Sequence, residues 1–157
     1  MQRTKLDIQA TEVFDWIWEA VTSKEYRYII LEGGSRSSKT TSLIQAYLLL
    51  ALTTESRMTI WRAKRTWCKA SVHTDWIKYL KLVGQYDERS NNMTDLSTRI
   101  GKSIIEFNGL DDYQKLHGLT QDYAWLNEGM ESKREDFDQI DMRTNKTIFM
   151  DYNPTEE

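Results

Sequence analysis

The residues best suited to chemistry are Gly33-Gly34-Ser35-Arg36-Ser37-Ser38-Lys39-Thr40, preceded by the apolar run Tyr28-Ile29-Ile30-Leu31 and followed by Thr41-Ser42-Leu43-Ile44. A phosphate-binding loop needs small residues whose backbone N–H groups wrap a polyphosphate, a lysine for the outer phosphates and a hydroxyl for magnesium. Lys39 and Thr40 supply the last two. The usual spacing is Gly, four variable residues, Gly, Lys, then Ser or Thr, and here Ser38 stands where the second glycine belongs.

A second landmark is Tyr123-Ala124-Trp125-Leu126-Asn127-Glu128, an apolar strand that ends in Asn-Glu. Nucleotide hydrolysis uses an acid that orders the magnesium shell and a second group that positions the attacking water. Asn127 occupies the first place and Glu128 the second. An amide oxygen can still accept from a magnesium-bound water, but without negative charge. A third landmark is Asn153-Pro154 at the end of Thr147-Ile148-Phe149-Met150-Asp151-Tyr152, where proline stops the strand. In open parallel sheets ligands bind outside the carboxyl ends of the strands, so the Gly33 loop, Glu128 and Asn153 are expected to meet.

The elements that must position these groups follow from periodicity. Apolar spacing predicts a helix over Thr11–Ser23 with Thr11 as cap and Gln9 just ahead of it. A buried strand is expected over Tyr26–Glu32, and a helix buried on several sides from Thr40 to about Thr53. A strand over Arg57–Trp61 leads into Arg62-Ala63-Lys64-Arg65-Thr66-Trp67-Cys68-Lys69, where basic and aromatic residues interleave as in nucleic-acid grooves. A solvated loop reads equally well there. Next come a helix over Thr66–Leu82 and a hairpin of Met93–Ile100 with Ser103–Phe107 about Gly101-Lys102. Past an irregular or helical piece at Gly109–Gly118, a helix from Glu131 or Ser132 to Arg143 precedes the last strand, Thr147–Tyr152. The tryptophans read as core anchors and His117 as a loop histidine.

Composition narrows the classes. The 157 residues carry a net charge of -3, so nucleic-acid contact must come from a local patch. One cysteine, Cys68, and two histidines exclude an internal disulfide and a Cys/His metal cluster, and fit a reducing, cytoplasmic setting. The apolar stretch Ala46–Leu52 is too short to span a bilayer.

The ordered set Glu32 to Thr40, Phe107-Asn108-Gly109-Leu110-Asp111-Asp112 with Lys115-Leu116-His117-Gly118, Trp125-Leu126-Asn127-Glu128 and Asp151-Tyr152-Asn153-Pro154-Thr155 resembles the ATPase domain of the large terminase subunits of tailed bacteriophages. The likeness runs from about Gln9 to Thr155. It implies an α/β P-loop fold of the additional-strand class, a mainly parallel sheet flanked by helices, with the last strand between the phosphate-loop strand and the Glu128 strand. It implies ATP and Mg2+ as cofactors, with Gly33, Gly34, Ser35, Arg36, Ser37, Ser38, Lys39 and Thr40 on the phosphates and Thr40 and Asn127 toward the metal. Glu128 would activate water, Arg36 would sense the γ phosphate, Asn153 would couple hydrolysis to movement and Gln9 would read adenine. Arg143 is the candidate arginine donated to a neighbour's site in a ring of copies. Expected partners are double-stranded DNA, a portal protein and a small terminase subunit, without a membrane, in the host cytoplasm and transiently at the procapsid portal vertex.

Ser38 and Asn127 depart from the family pattern, and the family continues beyond Glu157 into a nuclease domain for which no acidic cluster is seen here. The expectation is one ATPase domain over 1–157, cut short, that powers genome translocation. The alternatives are a P-loop assembly module that binds nucleotide with little or no hydrolysis, and another DNA-dependent P-loop ATPase.

Overall fold

The computed structural model describes residues 8–34 and 38–154. Ser35, Arg36 and Ser37 lie outside the described residues, so nothing is said of their placement. Seven strands form one sheet in the order β1-β7-β6-β2-β5-β4-β3. The strands are β1 (Tyr28–Glu32), β2 (Arg57–Arg62), β3 (Asn91–Asn92), β4 (Ser97–Ile100), β5 (Ser103–Gly109), β6 (Gln121–Leu126) and β7 (Thr144–Tyr152). Pairing is parallel from β1 through β7, β6 and β2 to β5, and antiparallel for β4 and β3. The last strand does lie between the phosphate-loop strand and the Glu128 strand, as the resemblance implies.

Parallel strands need helical crossovers, and helices cover both faces. On one face α1 (Glu12–Ser23), α2 (Lys39–Thr53) and α4 (Thr74–Leu82) bury Phe14, Ile17, Leu43, Tyr47, Trp76 and Leu80 against Met58, Ile60, Trp125 and Phe149. On the other, α5 (Tyr113–Gly118) and α6 (Arg134–Met142) pack Leu116 and Ile140 against Trp61, Leu126 and Ile148. The Tyr47 ring stands edge-on to Trp125 at 5.4 Å and to Phe149 at 5.7 Å, which pins α2 over the centre of the sheet. Its hydroxyl donates to the Thr59 carbonyl at 3.0 Å. The middle of α2 is thereby fixed over β2, β6 and β7.

Thr11 caps α1, its hydroxyl accepting from Phe14 N at 3.0 Å, and it also bonds Ser42 Oγ of α2 at 2.6 Å. One side chain both starts the first helix and ties it to the second. Trp61, Trp76 and Trp125 are core anchors, whereas Trp16 and Trp67 are 62% and 42% exposed.

The strand expected to be buried over Tyr26–Glu32 is instead β1, at the sheet edge, where only Ile29 is buried and Tyr28 and Ile30 are exposed. Other elements differ from their sequence expectation too. The helix expected over 66–82 is interrupted: α3 (Arg65–Cys68) runs through a π-helical turn, Lys69–His73, into α4. Thr74 Oγ1 donates to the Lys69 carbonyl at 2.9 Å, and the wider turn lets the adjacent Val72 and His73 both face the core. The first hairpin strand is only β4, because Asn92 Oδ1 accepts from Thr94 N at 3.0 Å and Asp95 N at 2.9 Å and folds residues 93–96 into a turn. The turn itself is as expected, with Ile100 paired to Ser103 and φ +57 at Gly101. Before α6, residues Gly129–Glu131 form a separate 3-10 turn, so the helix starts later, at Arg134.

Candidate functional site

Strand register assembles the site. Tyr152 of β7 pairs with Glu32 of β1, and Gly33 N donates to the Tyr152 carbonyl at 3.3 Å, so Asn153 comes out beside the phosphate loop. On the other side of β7, Met150 pairs with Leu126 of β6, and the next step along both strands brings Asp151 beside Asn127. The carboxyl ends of β1, β7 and β6 therefore lie side by side. A cavity of about 280 Å³ at this edge is lined by Ser38, Lys39, Thr40, Thr41, Asp75, Glu128, Asp151 and Asn153.

Lys39 is the hub. Its Nζ donates to the carbonyls of Gly33 at 2.6 Å and Gly34 at 2.9 Å and to Asn153 Oδ1 at 2.9 Å. The side chain is buried, which α2 achieves by starting at Lys39 itself. Ser38, at the helix N-cap, has φ +60 and ψ +17, the left-handed region that the missing glycine would favour. Serine thus takes up the left-handed backbone at this position and carries its strain. Ser38 O accepts from Ser42 N at 2.9 Å and Ser42 Oγ at 2.7 Å, which closes the first turn of α2.

Glu128 follows β6 with φ +54 and ψ +54, again left-handed, and begins the 3-10 turn. Such a conformation costs on the order of 1 kcal/mol for a non-glycine residue. Here it places the carboxylate among the cavity-lining groups. Burial raises the carboxyl above its ordinary range, the charges of Asp151 and Glu131 push the same way, and Arg62 and Lys39 oppose them. Gly129 next to it has no room for a side chain, since a Cβ would meet Met150 Cγ and Sδ. That contact seats the turn directly on β7.

Asn127 is buried, and its Nδ2 donates to both carboxylate oxygens of Asp151, at 3.1 and 3.2 Å. Trp125 Nε1 donates to Asp151 Oδ1 at 2.6 Å. Burial raises the Asp151 carboxyl, against the lowering effect of these donors, of Lys39 and of Glu128 N–H.

Gln9 is exposed and lies at a neighbouring cavity of about 600 Å³ with Thr11, Gln45, Lys78 and Tyr79. Thr41 and Asp75 line both cavities, so they adjoin. Gln45 holds the Gln9 backbone by donating to its carbonyl at 3.0 Å. Arg143 is not brought to this edge. It ends α6, and its carbonyl accepts from Gln121 N at 2.9 Å, at the amino-terminal end of β6. The basic stretch after β2 is partly engaged within the fold: Arg62 pairs with Glu131 at 2.6 Å and bonds Ser71 at 2.9 Å, and Arg65 donates to the Thr94 carbonyl at 2.6 Å. Lys64 stands 4.9 Å over the Trp67 ring. Cys68 is buried, its thiol pushed up to about 12, and is inert.

Asp75 and Asp151 were not singled out by residue pattern. Asp75 is one polar residue in the first turn of α4, and its place at the site depends on helix packing. Asp151 carried a signal, an acid in an otherwise apolar strand that the fold must bury.

A phosphate-loop strand beside a strand followed by Asn153, itself beside a strand followed by Asn127 and Glu128, defines a P-loop fold of the additional-strand class. The chain belongs to the phage terminase large subunit family, whose model matches residues 25–157. Comparison with the curated proteins finds no match. The large terminase of a thermophilic bacteriophage superposes with a TM-score of 0.73 at 18% identity, over 91% of this chain and 38% of that one. The same protein in complex with ATP-γ-S gives 0.71 at 18%, over 91% and 36%. The ATPase domain of the large terminase of Thermus phage P74-26 gives 0.61 at 11%, over 96% and 72%. The chain thus spans less than two fifths of the length of the first of these terminases. No helix among the described residues is long and apolar enough to cross a membrane.

Proposed function

We propose that this chain binds ATP with magnesium and hydrolyses it to drive double-stranded phage DNA through a portal into a procapsid. The observation that carries the reading is the convergence of Lys39, Thr40, Glu128 and Asn153 on one cavity at the carboxyl edge of the sheet. It is supported by relatives of the same fold in complex with ADP and with ATP-γ-S, and by the likeness to the Phi-28 gp11 DNA packaging motor, TM-score 0.58 at 13% identity.

Catalysis in this reading is positioning and charge neutralisation. Lys39 exchanges its hold on the Gly33 and Gly34 carbonyls for phosphate oxygens, while Arg36 and the loop amides from Gly33 to Ser38 wrap the phosphates. The nucleoside lies in the adjoining cavity with Gln9 at its rim. Glu128, whose carboxyl burial raises above its ordinary range, accepts the proton of the attacking water. Asn153, joined to Lys39, senses the γ phosphate and passes its loss to β7. Magnesium, when bound, neutralises charge on the phosphate oxygens. Its usual protein ligands are one or two carboxylates or hydroxyls beside the substrate's own oxygens, and Thr40 with the nearby carboxylates fits that need.

The motor works as a ring in which a neighbour's arginine, for which Arg143 is the candidate, completes the site; a portal protein and a small terminase subunit are the other partners. The test is ATP turnover in the presence of double-stranded DNA. Lys39→Ala and Glu128→Gln should each abolish it, and unchanged turnover in both would reject the assignment.

A further inference from the structure

We propose that Asp151, reaching in from β7, supplies the magnesium-ordering negative charge that Asn127 at the end of β6 lacks. The inference rests on the ATP reading above and names the residue that completes it. Parallel register sets positions 127 and 151 side by side, one step beyond the Leu126–Met150 pair. A carboxylate moved from one strand to the next therefore stays at the same edge of the sheet. The pair is joined directly: Asn127 Nδ2 reaches Asp151 Oδ1 at 3.1 Å and Oδ2 at 3.2 Å.

The amide nitrogen of Asn127 is thus committed to orienting a charge. Trp125 Nε1, two residues back on the same face of β6, donates to Oδ1 at 2.6 Å. Donors from two side chains hold the carboxylate in one orientation, with an edge of it on the cavity lined by Lys39, Thr40 and Glu128. Asp151 is 1% exposed, and no cation forms an ion pair with it among the described residues. A buried carboxylate without a directly paired cation is costly and is kept where a cation arrives with a ligand. Magnesium carried by a nucleotide is such a cation, and Thr40 lines the same cavity to share it.

Removal of the charge alone should therefore sever metal from nucleotide affinity, and its return to position 127 should restore the link. The experiment measures ATP-γ-S binding by calorimetry, with Mg2+ and with EDTA, for the wild-type chain, Asp151→Asn and the exchange Asn127→Asp/Asp151→Asn, each with a thermal melt to verify folding. Mg2+ is expected to tighten wild-type binding at least ten-fold, Asp151→Asn to lose that gain, and the exchange to regain most of it. If Asp151→Asn alone does not fold, Asp151→Ser serves as the second charge-free variant, and the exchange is read against it. A full Mg2+ gain in a folded charge-free variant overturns the assignment of Asp151 while leaving ATP binding intact. Loss of the gain in the folded exchange variant also overturns it. No ATP-γ-S binding by the wild-type chain in either condition would instead reject the ATP reading, and this inference with it.

Discussion

Lys39 Nζ donates to Asn153 Oδ1 at 2.9 Å, linking the first turn of α2 to the residue that follows β7. The bond joins the group proposed to bind phosphate to the group proposed to sense it. Lys39 also holds the Gly33 and Gly34 carbonyls, so loss of Asn153 leaves the lysine anchored. Asn153→Ala is expected to lower stability by about 1.5–3 kcal/mol, the scale of one hydrogen bond to a charged group. It should keep ATP-γ-S binding within several-fold yet cut DNA-stimulated turnover by more. Calorimetry beside a steady-state ATPase assay checks that split.

Glu128 is held in place by a strained backbone and by the close contact of Gly129 with Met150. Glu128→Gln keeps the size and the hydrogen-bonding reach but cannot accept a proton. The expected result is a fall in kcat of about 10²-fold or more with nucleotide affinity retained. Single-turnover kinetics would separate the two.

Ser38 carries its left-handed strain at the start of α2, so relief of that strain should act on folding more than on affinity. Ser38→Gly is expected to change stability by no more than about 1 kcal/mol, strain relief being offset by the greater freedom of glycine in the unfolded chain. Nucleotide affinity should stay within about three-fold of wild type, under 1 kcal/mol. A large gain in affinity would show instead that the loop reshapes on binding.

His73 is 2% exposed against the Phe107 ring, 4.8 Å between centroids. Burial lowers its pKa below 6.5, and the charges of Lys69 and Arg65 add to the effect. The unfolded chain therefore takes up a proton near pH 6.5 that the folded one refuses, and stability falls as pH drops from 6.5 toward the lowered folded value. His73→Phe should flatten that slope in urea denaturation series taken between about pH 7 and pH 5.5.

Gly109 ends β5 beside the start of α3, and a Cβ there would collide with the backbone nitrogen of Arg65 and with Asp111 Oδ1. Backbone cannot step aside cheaply. Gly109→Ala is expected to destabilise by about 1–3 kcal/mol and to displace the Arg65 N–H from Asp111 Oδ1, measurable as a lower Tm.

Much of this was legible from residue order because local chemistry writes it. Thr11 signals a helix start by its hydroxyl, Gly101 a tight turn by its freedom of φ, and the apolar run before Asn127 a buried strand, whereas the run before Gly33 misleads, since β1 is an edge strand with Tyr28 and Ile30 exposed. The π turn at Lys69–His73 was not legible, because a widened turn answers two adjacent buried positions rather than a repeating period. The 3-10 turn at Gly129–Glu131 was hidden in the same way: Glu128 and Glu131 suit a helix start, and only the fit of Gly129 against Met150 shows the chain turning first.

The sequence by itself determined that a lysine, a threonine, a glutamate and an asparagine would each stand at or near a strand end, since motif spacing and apolar periodicity are properties of consecutive residues. Only the tertiary structure decided that Asp151 would stand against Asn127 and that Asp75 would join the same cavity. Those contacts depend on strand register and helix packing between segments far apart in the chain, where the hydrogen bond from Asn127 to Asp151 exists only once β7 has entered the sheet between β1 and β6.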